Sequence, residues 1–448
     1  MDILTTNFFV GRPCLSFSED QANEKFDSSR AMNASNLLDL RNLPAIGGTT
    51  TAATRPNYLH QANLRRLVDH KGIQELYFHR CTFQVGQVET ILQGLRKHDL
   101  LRRRPTSDLT HLIFHDCHFP RSLHYGPELS QALARNVSLT TLVLKSSGGQ
   151  LGSAGWELGN VIARHANLQF VWLCMPNPPP PSSTLQNPQE LLEWSDLLTG
   201  LGVTGQTLPA LKVENFHWSA TMCNALHHLA HHDLRSLEVK GLRSTHTFDV
   251  ILQCWSSSSR LESLALGSES SASELIIESI FDRLVRLILS CPTLKTVTLN
   301  LPNLKIPVTA VIQLLDVLSS SGSKQKREIQ LRLKLVFGAV EHDAAGLSDL
   351  FDAIASNVHL IDFELKETRA TVSTENQPLC LPVNSAAAPL LAGIFAMNAA
   401  GRRYMQRDPT DKRRGVTVLA SVNHNLDALF FHVRENPFLC SHHKSKSA

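Results

Sequence analysis

The chain is short of charge, of paired cysteines and of long apolar runs, and each shortage removes a class of protein. Charged residues make up 19% of 448 residues and the formal net charge is +3. So small a balance gives no electrostatic case for a nucleic-acid partner. Nine Cys are scattered without a CxxC pair, which reads as reduced thiols rather than a disulfide framework. The most apolar run, Ala386 to Met397, is too short to span a bilayer, and the helical stretch Ile276–Leu289 carries Glu278, Asp282, Arg283 and Arg286. Met1-Asp2-Ile3 opens without a basic leader, and no apolar stretch with a cleavage site follows. The expectation is an intracellular chain, cytoplasmic or nuclear, with no signal peptide, no transmembrane segment and no membrane partner.

What the chain does have is apolar content, 42% of residues, and a repeat. Ile73–Phe83 reads IQELYFHRCTF and Leu109–Phe119 reads LTHLIFHDCHF. Apolar residues fall at the first, fourth and sixth positions of both, a Cys at the ninth and a Phe at the eleventh. More worn copies start at Leu139, Leu168, Leu208, Leu234, Leu261, Leu294, around Ile329 and at Leu360, spaced by roughly 26 to 40 residues. Each copy begins with an L-x-x-L-x-L strand. Between strands come amphipathic helical patterns, such as Trp156, Leu158, Val161 and Ile162, and polar turns such as Arg135-Asn136-Val137-Ser138 and Ser356-Asn357-Val358-His359. Asn at such helix ends is expected for its tolerance of the left-handed conformation. Strand–helix alternation at this spacing predicts a parallel sheet.

These copies resemble the leucine-rich-repeat superfamily, in its ribonuclease-inhibitor-like branch. The resemblance implies an α/β right-handed solenoid, or horseshoe, with a parallel sheet on the concave face and helices on the convex face. It also implies that the ninth-position residue, here Cys81 and Cys117, hydrogen-bonds backbone along the turn. Three segments follow. Residues 1–58, rich in Ser, Asn, Thr and Gly, are expected to be largely disordered, with a short helix near Leu37–Leu40. Residues 59–375 hold an array of about ten repeats. Residues 376–448 form a helical C-terminal cap and a short tail. Within the cap, a helix over Ser385–Met405 has Pro389 in its first turn. A basic loop, Lys412-Arg413-Arg414, follows, and then an apolar stripe, Leu426, Leu429, Phe430 and Val433, at helical spacing. The pieces Asn398-Ala-Ala-Gly401-Arg402 and His432-Val-Arg434-Glu435-Asn436-Pro437 resemble the terminal segment of uncharacterised leucine-rich-repeat proteins of single-celled algae, which implies a shared cap and no known activity. Ser319–Glu328 reads as a solvated turn, and Pro178–Pro181 as an exposed polyproline loop.

In the repeat frame the third, fifth and seventh positions point away from the core. At the N-terminal end they set Tyr77, His79, His111, Ile113, His115, Phe170 and Trp172 on one wall. Exposed Tyr and Trp beside aliphatic residues bury large areas at low entropic cost, as protein-binding hot spots require. These seven residues are the candidate partner site, although residues covered by the N-terminal segment, or residues that are simply sheet-favouring, would read the same way. Cys223, His227 and His231 share a helix face at i, i+4, i+8 spacing and are a possible zinc set. A helix end whose histidines favour the dipole explains them equally, and no metal or other cofactor is expected. Gly148–Gly155 lacks the Lys-Ser/Thr end of a phosphate loop and fits a strand-to-helix turn. No Ser, His or Asp sits in a nucleophile elbow.

The expected function is non-catalytic: a protein–protein recognition scaffold or adaptor, not an enzyme, with a protein partner whose identity the sequence leaves open. One alternative is the substrate-recognition subunit of a ubiquitin ligase, from the F-box-like start at Leu37–Pro44. The other is a regulator of a small GTPase, an activity found within the family that the repeats resemble.

Overall fold

The computed structural model describes residues 37–41, 75–79, 83, 85–96, 98–99, 104–105, 109–115, 117, 125–145, 155–175, 188–202, 208–216, 218, 222, 224, 229, 234–256, 260–268, 275–324, 330–368, 380–381, 388–402, 412–422 and 424–436. They form an α/β chain in which strands of long, mostly parallel, open sheet alternate with helices, in two compact units divided after Leu234.

In the first unit, strands β1 (Leu37–Arg41), β2 (Glu75–His79), β5 (His111–His115), β6 (Thr141–Lys145), β7 (Phe170–Cys174) and β8 (Ala210–Glu214) lie side by side in chain order, each parallel to the next. A small antiparallel pair, β3 (His98–Asp99) and β4 (Arg104–Pro105), stands apart from them. Helices α1 (Val85–Arg96), α2 (Tyr125–Arg135), α3 (Gly155–Arg164) and α4 (Pro188–Leu201) fill the crossovers and pack each on the next. Parallel neighbours require such crossovers, because a tight turn cannot return the chain to the same end of the sheet. The second unit repeats the scheme. Strands β9 (Ser236–Lys240), β10 (Ser263–Gly267), β11 (Thr296–Pro307), β12 (Leu331–Glu341) and β13 (Leu360–Glu367) are parallel, and β14 (Cys380–Leu381) closes the row antiparallel to β13. Its crossover helices are α5 (Thr245–Trp255), α6 (Ile277–Ser290), α7 (Val308–Lys324) and α8 (Ala344–Ser356). Three more follow: α9 (Ala388–Ala399), α10 (Lys412–Ala420) and α11 (Leu426–Glu435).

The core is built from the first, fourth and sixth positions of each copy. Leu139, Leu142 and Leu144 are buried in one copy, Leu261, Leu264 and Leu266 in another, and Leu360, Phe363 and Leu365 in a third. Phe78, Phe83 and Phe114 make an aromatic cluster with centroids 5.2–5.8 Å apart. The copy placed near Ile329 sits one residue later: Arg332 pairs with Thr296, so Leu333 and Leu335 take the core positions. The frame also runs longer there. β11 and β12 continue past the usual five residues across a bulge between Leu301 and Lys305, where Gly338 lies against the Pro302 and Leu304 carbonyls.

Three local expectations are corrected. Leu37–Arg41 is extended strand, not helix, because it extends the ladder of β2; that geometry departs from a helical F-box start. Ser319–Lys324 continues α7 rather than turning. Lys412–Arg414 opens helix α10 rather than a loop.

The asparagines at helix ends also act differently from expectation. Asn136 donates its amide to the Leu95 carbonyl at 3.2 Å and accepts from the Ser138 and Leu139 N–H groups. Asn357 does the same with the Leu315 carbonyl and the His359 N–H, at φ −79. Each therefore ties its helix end to the preceding helix through its side chain. Among the described non-glycine residues the left-handed conformation falls to Asn215, at φ 60, just after β8; Gly241, at φ 77, holds the matching place after β9. Of the two ninth-position cysteines, Cys81 lies outside the described residues, while Cys117 is buried and its thiol donates to the Phe78 carbonyl at 3.4 Å.

Candidate functional site

Parallel register turns the alternation of each strand into straight rows. Tyr77 pairs with Ile113, Ile113 with Val143, Val143 with Trp172, and Trp172 with Lys212. On one side of this row run Glu75, His111, Thr141, Phe170 and Ala210; on the other run His79, His115, Lys145, Cys174 and Glu214. All seven candidate residues therefore lie on one face of one sheet. Tyr77 and Trp172 are three strand spacings apart, about 14 Å.

Their exposure is uneven. Tyr77, His111, His115, Phe170 and Trp172 are half-buried. Ile113 is only 6% exposed, between Tyr77 and Val143 in its row, so it shapes the floor more than it offers contact. His79 is described by its backbone alone, paired with His115. The polar groups are fixed in place: Tyr77 Oη and His115 Nδ1 are 2.8 Å apart, and Thr110 Oγ1 and His111 Nδ1 are also 2.8 Å apart.

The most distinctive local geometry surrounds Trp172. Lys212 Nζ sits 3.8 Å from its ring centroid and Lys145 Nζ 5.0 Å from it. A lysine ammonium over indole is attracted by the ring quadrupole, by about 0.5–2 kcal/mol depending on desolvation. Lys212 is 7% exposed, so its stem is packed along the sheet and its charge is drawn down to the ring. The indole Nε1 is buried without a hydrogen-bond partner. Both lysines stand at outward-facing positions of the repeat frame, and the signal that would have selected them was their place beside an outward Trp on adjoining strands.

The equivalent face of the second unit is polar. Ser236, Ser263, Thr296, Arg332 and Asp362 form one of its rows, and Lys334 pairs with Glu364 at 2.7 Å. Cys223, His227 and His231 lie outside the described residues, as does the polyproline run. Among the described residues no group of three His, Cys, Asp or Glu is placed to hold a metal ion, and the described cysteines Cys117, Cys174, Cys254, Cys291 and Cys380 are not in disulfides. No described helix is long and apolar enough to cross a membrane.

The cap motifs resolve into one buried polar cluster. Arg402 is buried and donates from one terminal nitrogen to the Ala355 carbonyl at 2.8 Å and from the other to Glu435. Its guanidinium also lies over the Phe431 ring. Asn398 donates to the carbonyls of Asn357 and Leu360. His432 is fully buried, with Nδ1 3.2 Å from Asn436 Nδ2. Burial, and then the neighbouring Arg402 charge, push its pKa down to about 4. Burial lowers that of Arg402 as well, opposed by Glu435. These residues join α8, α9 and α11; their chemistry is that of a fastening, with every charged group engaged on protein.

Comparison of the chain with known protein families and with curated proteins finds no match to either.

Proposed function

We propose that the chain is an intracellular, non-catalytic recognition protein of the leucine-rich-repeat kind. It would be a right-handed solenoid of about ten repeats, with the sheet on the concave side, the helices on the convex side, and a protein partner held on the concave face. The observation that carries this reading is the straight set of rows in the first unit, where Tyr77, Phe170 and Trp172 stand half-buried on the face opposite the core. Half-buried aromatics on rigid strands lose little entropy when a partner covers them. The Lys145–Trp172–Lys212 cluster adds fixed cations beside that area, which favours partners presenting a carboxylate next to an apolar side chain.

The test is proximity labelling in the native cell with the full chain and with Trp172→Ala combined with Tyr77→Ala. The reading expects a defined set of neighbours to disappear with the double variant, while circular dichroism shows an unchanged fold. An unchanged neighbour set would remove this face as the binding surface.

A further inference from the structure

Helix α11 carries the apolar stripe Leu426, Leu429, Phe430 and Val433, at i, i+3, i+4 and i+7. A cap helix is expected to turn such a stripe inward. It is rolled the other way. Ala428 and His432 are the buried positions, while Leu426 is 75% and Phe430 69% exposed and Leu429 and Val433 are half-exposed. The roll is fixed at both ends. Asn425 caps the helix by accepting from the Ala428 N–H at 3.0 Å, and its amide donates to the Pro389 carbonyl. Glu435 is held by Arg402. At Gly393 of α9 any side chain would collide with the Ala428 methyl, so this close approach sets the inward face.

We propose that this stripe is the interface with a second copy of the same chain, the two α11 helices lying antiparallel about a twofold axis. The charges on the helix choose the occupant and the direction. Asp427 and Arg434 are both exposed and seven residues apart, so they flank the same edge of the stripe two turns apart. Antiparallel pairing sets Leu426 against Val433 and Leu429 against Phe430 of the other copy. It also brings Asp427 of each copy to within about one helical turn, along the axis, of Arg434 of the other. Parallel pairing would put this edge of the two copies on opposite sides of the seam, where Asp427 and Arg434 gain no such partner. A self-complementary patch of this kind is what a closed C2 interface requires. It is two helical turns long, smaller than a standard interface, so the dimer is a reversible one with a dissociation constant on the order of micromolar.

The experiment is sedimentation equilibrium of the full chain from about 1 to about 300 μM, with far-UV circular dichroism on every variant. The wild-type mass should rise from monomer to dimer across this range. Phe430→Glu should remain mostly monomeric, a weakening of roughly 1,000-fold or more because each dimer loses the side chain twice. Asp427→Arg should weaken the dimer by at least about 10-fold, and Asp427→Arg combined with Arg434→Asp should restore it. A wild-type chain that is monomeric throughout overturns the proposal, whether because the apolar face takes another partner or because the chain's own tail covers it. A Phe430→Glu variant that still dimerises, or a folded charge-swap variant that does not recover, overturns it equally.

Discussion

His432 shows how much a single side chain in the cap contributes. The imidazole is fully buried and close enough to Arg402 to feel its charge, so the neutral form is the one the folded state accepts. Its folded pKa is about 4, below the unfolded value near 6.5. Above about pH 7 the ring is neutral in both states and costs nothing. As pH falls through about 6.5 the unfolded chain takes up a proton that the folded chain refuses, so stability declines until about pH 4, by roughly 3 kcal/mol at most. The expected result is a urea midpoint that falls faster between pH 7 and pH 4.5 in the wild type than in His432→Gln. Superimposable profiles would refute the assignment. His165 is also held below its ordinary pKa by burial and remains in both proteins, so the difference between the two profiles isolates His432. His165, Asn136, Cys291 and Asn357 all stand three residues before the first Leu of a strand, where side chains tie helix end to backbone. Cys291 and Thr293 both reach the Leu261 carbonyl. The frame was legible in the sequence because burying the Leu positions demands a strict spacing. The use of this position was not, because Asn, His and Cys share no pattern beyond the ability to hydrogen-bond.

At the scale of elements, the pair α3 and α4 explains Gly155, the last residue of the glycine-rich run Gly148–Gly155, together with two glycines beyond it. Gly155 and Gly159 lie one turn apart on α3, and Gly200 faces them from α4. A Cβ on Gly155 would strike the Glu193 carbonyl, one on Gly159 the Leu197 carbonyl, and one on Gly200 the Trp156 carbonyl. The two helices therefore approach backbone to backbone. In a solvent-facing helix Gly→Ala stabilises by up to about 1 kcal/mol. Here the sign should reverse: Gly159→Ala is expected to cost about 3 kcal/mol, since the backbone it meets cannot rotate away. Urea unfolding of the variant measures it, and a neutral or stabilised variant would show that the helices have room to separate. Helix α11 teaches a related lesson. Its period was plain in the sequence, but period alone does not say which face turns inward. Gly393, Asn425 and Arg402 decide that from elsewhere in the chain, and they turned the most apolar face outward. The candidate wall divides the same way: strand alternation sets Tyr77, Phe170 and Trp172 at half-buried positions of the rows, whereas the depth of Ile113 depends on how its neighbours pack.

For the molecule as a whole, the repeat architecture limits how far any perturbation travels. In each unit a strand bonds only to its neighbours and each crossover helix packs on the next, so stability is close to a sum of local terms and nearest-neighbour terms. The cap is the last such term in the second unit. α9 packs on β13 and α8, and α11 packs on α9. Arg402 crosses all three helical layers, from the Ala355 carbonyl at the end of α8 to Glu435 on α11. Replacing it with Ala leaves the Ala355 carbonyl without its donor and removes the partner of the partly exposed Glu435, a loss of about 1–3 kcal/mol. Hydrogen exchange should record that loss as a gradient. Amides of β13 and α8 lose the most protection, those of β12 and α7 less, and those of β5 to β7 in the first unit keep wild-type rates. Arg402→Lys should recover little, because one ammonium cannot reach both acceptors with the planar fork of a guanidinium. Uniform loss of protection across both units would instead mean that the chain unfolds as a single cooperative block, and the cap would then be a fastening for the whole chain rather than for the end it covers.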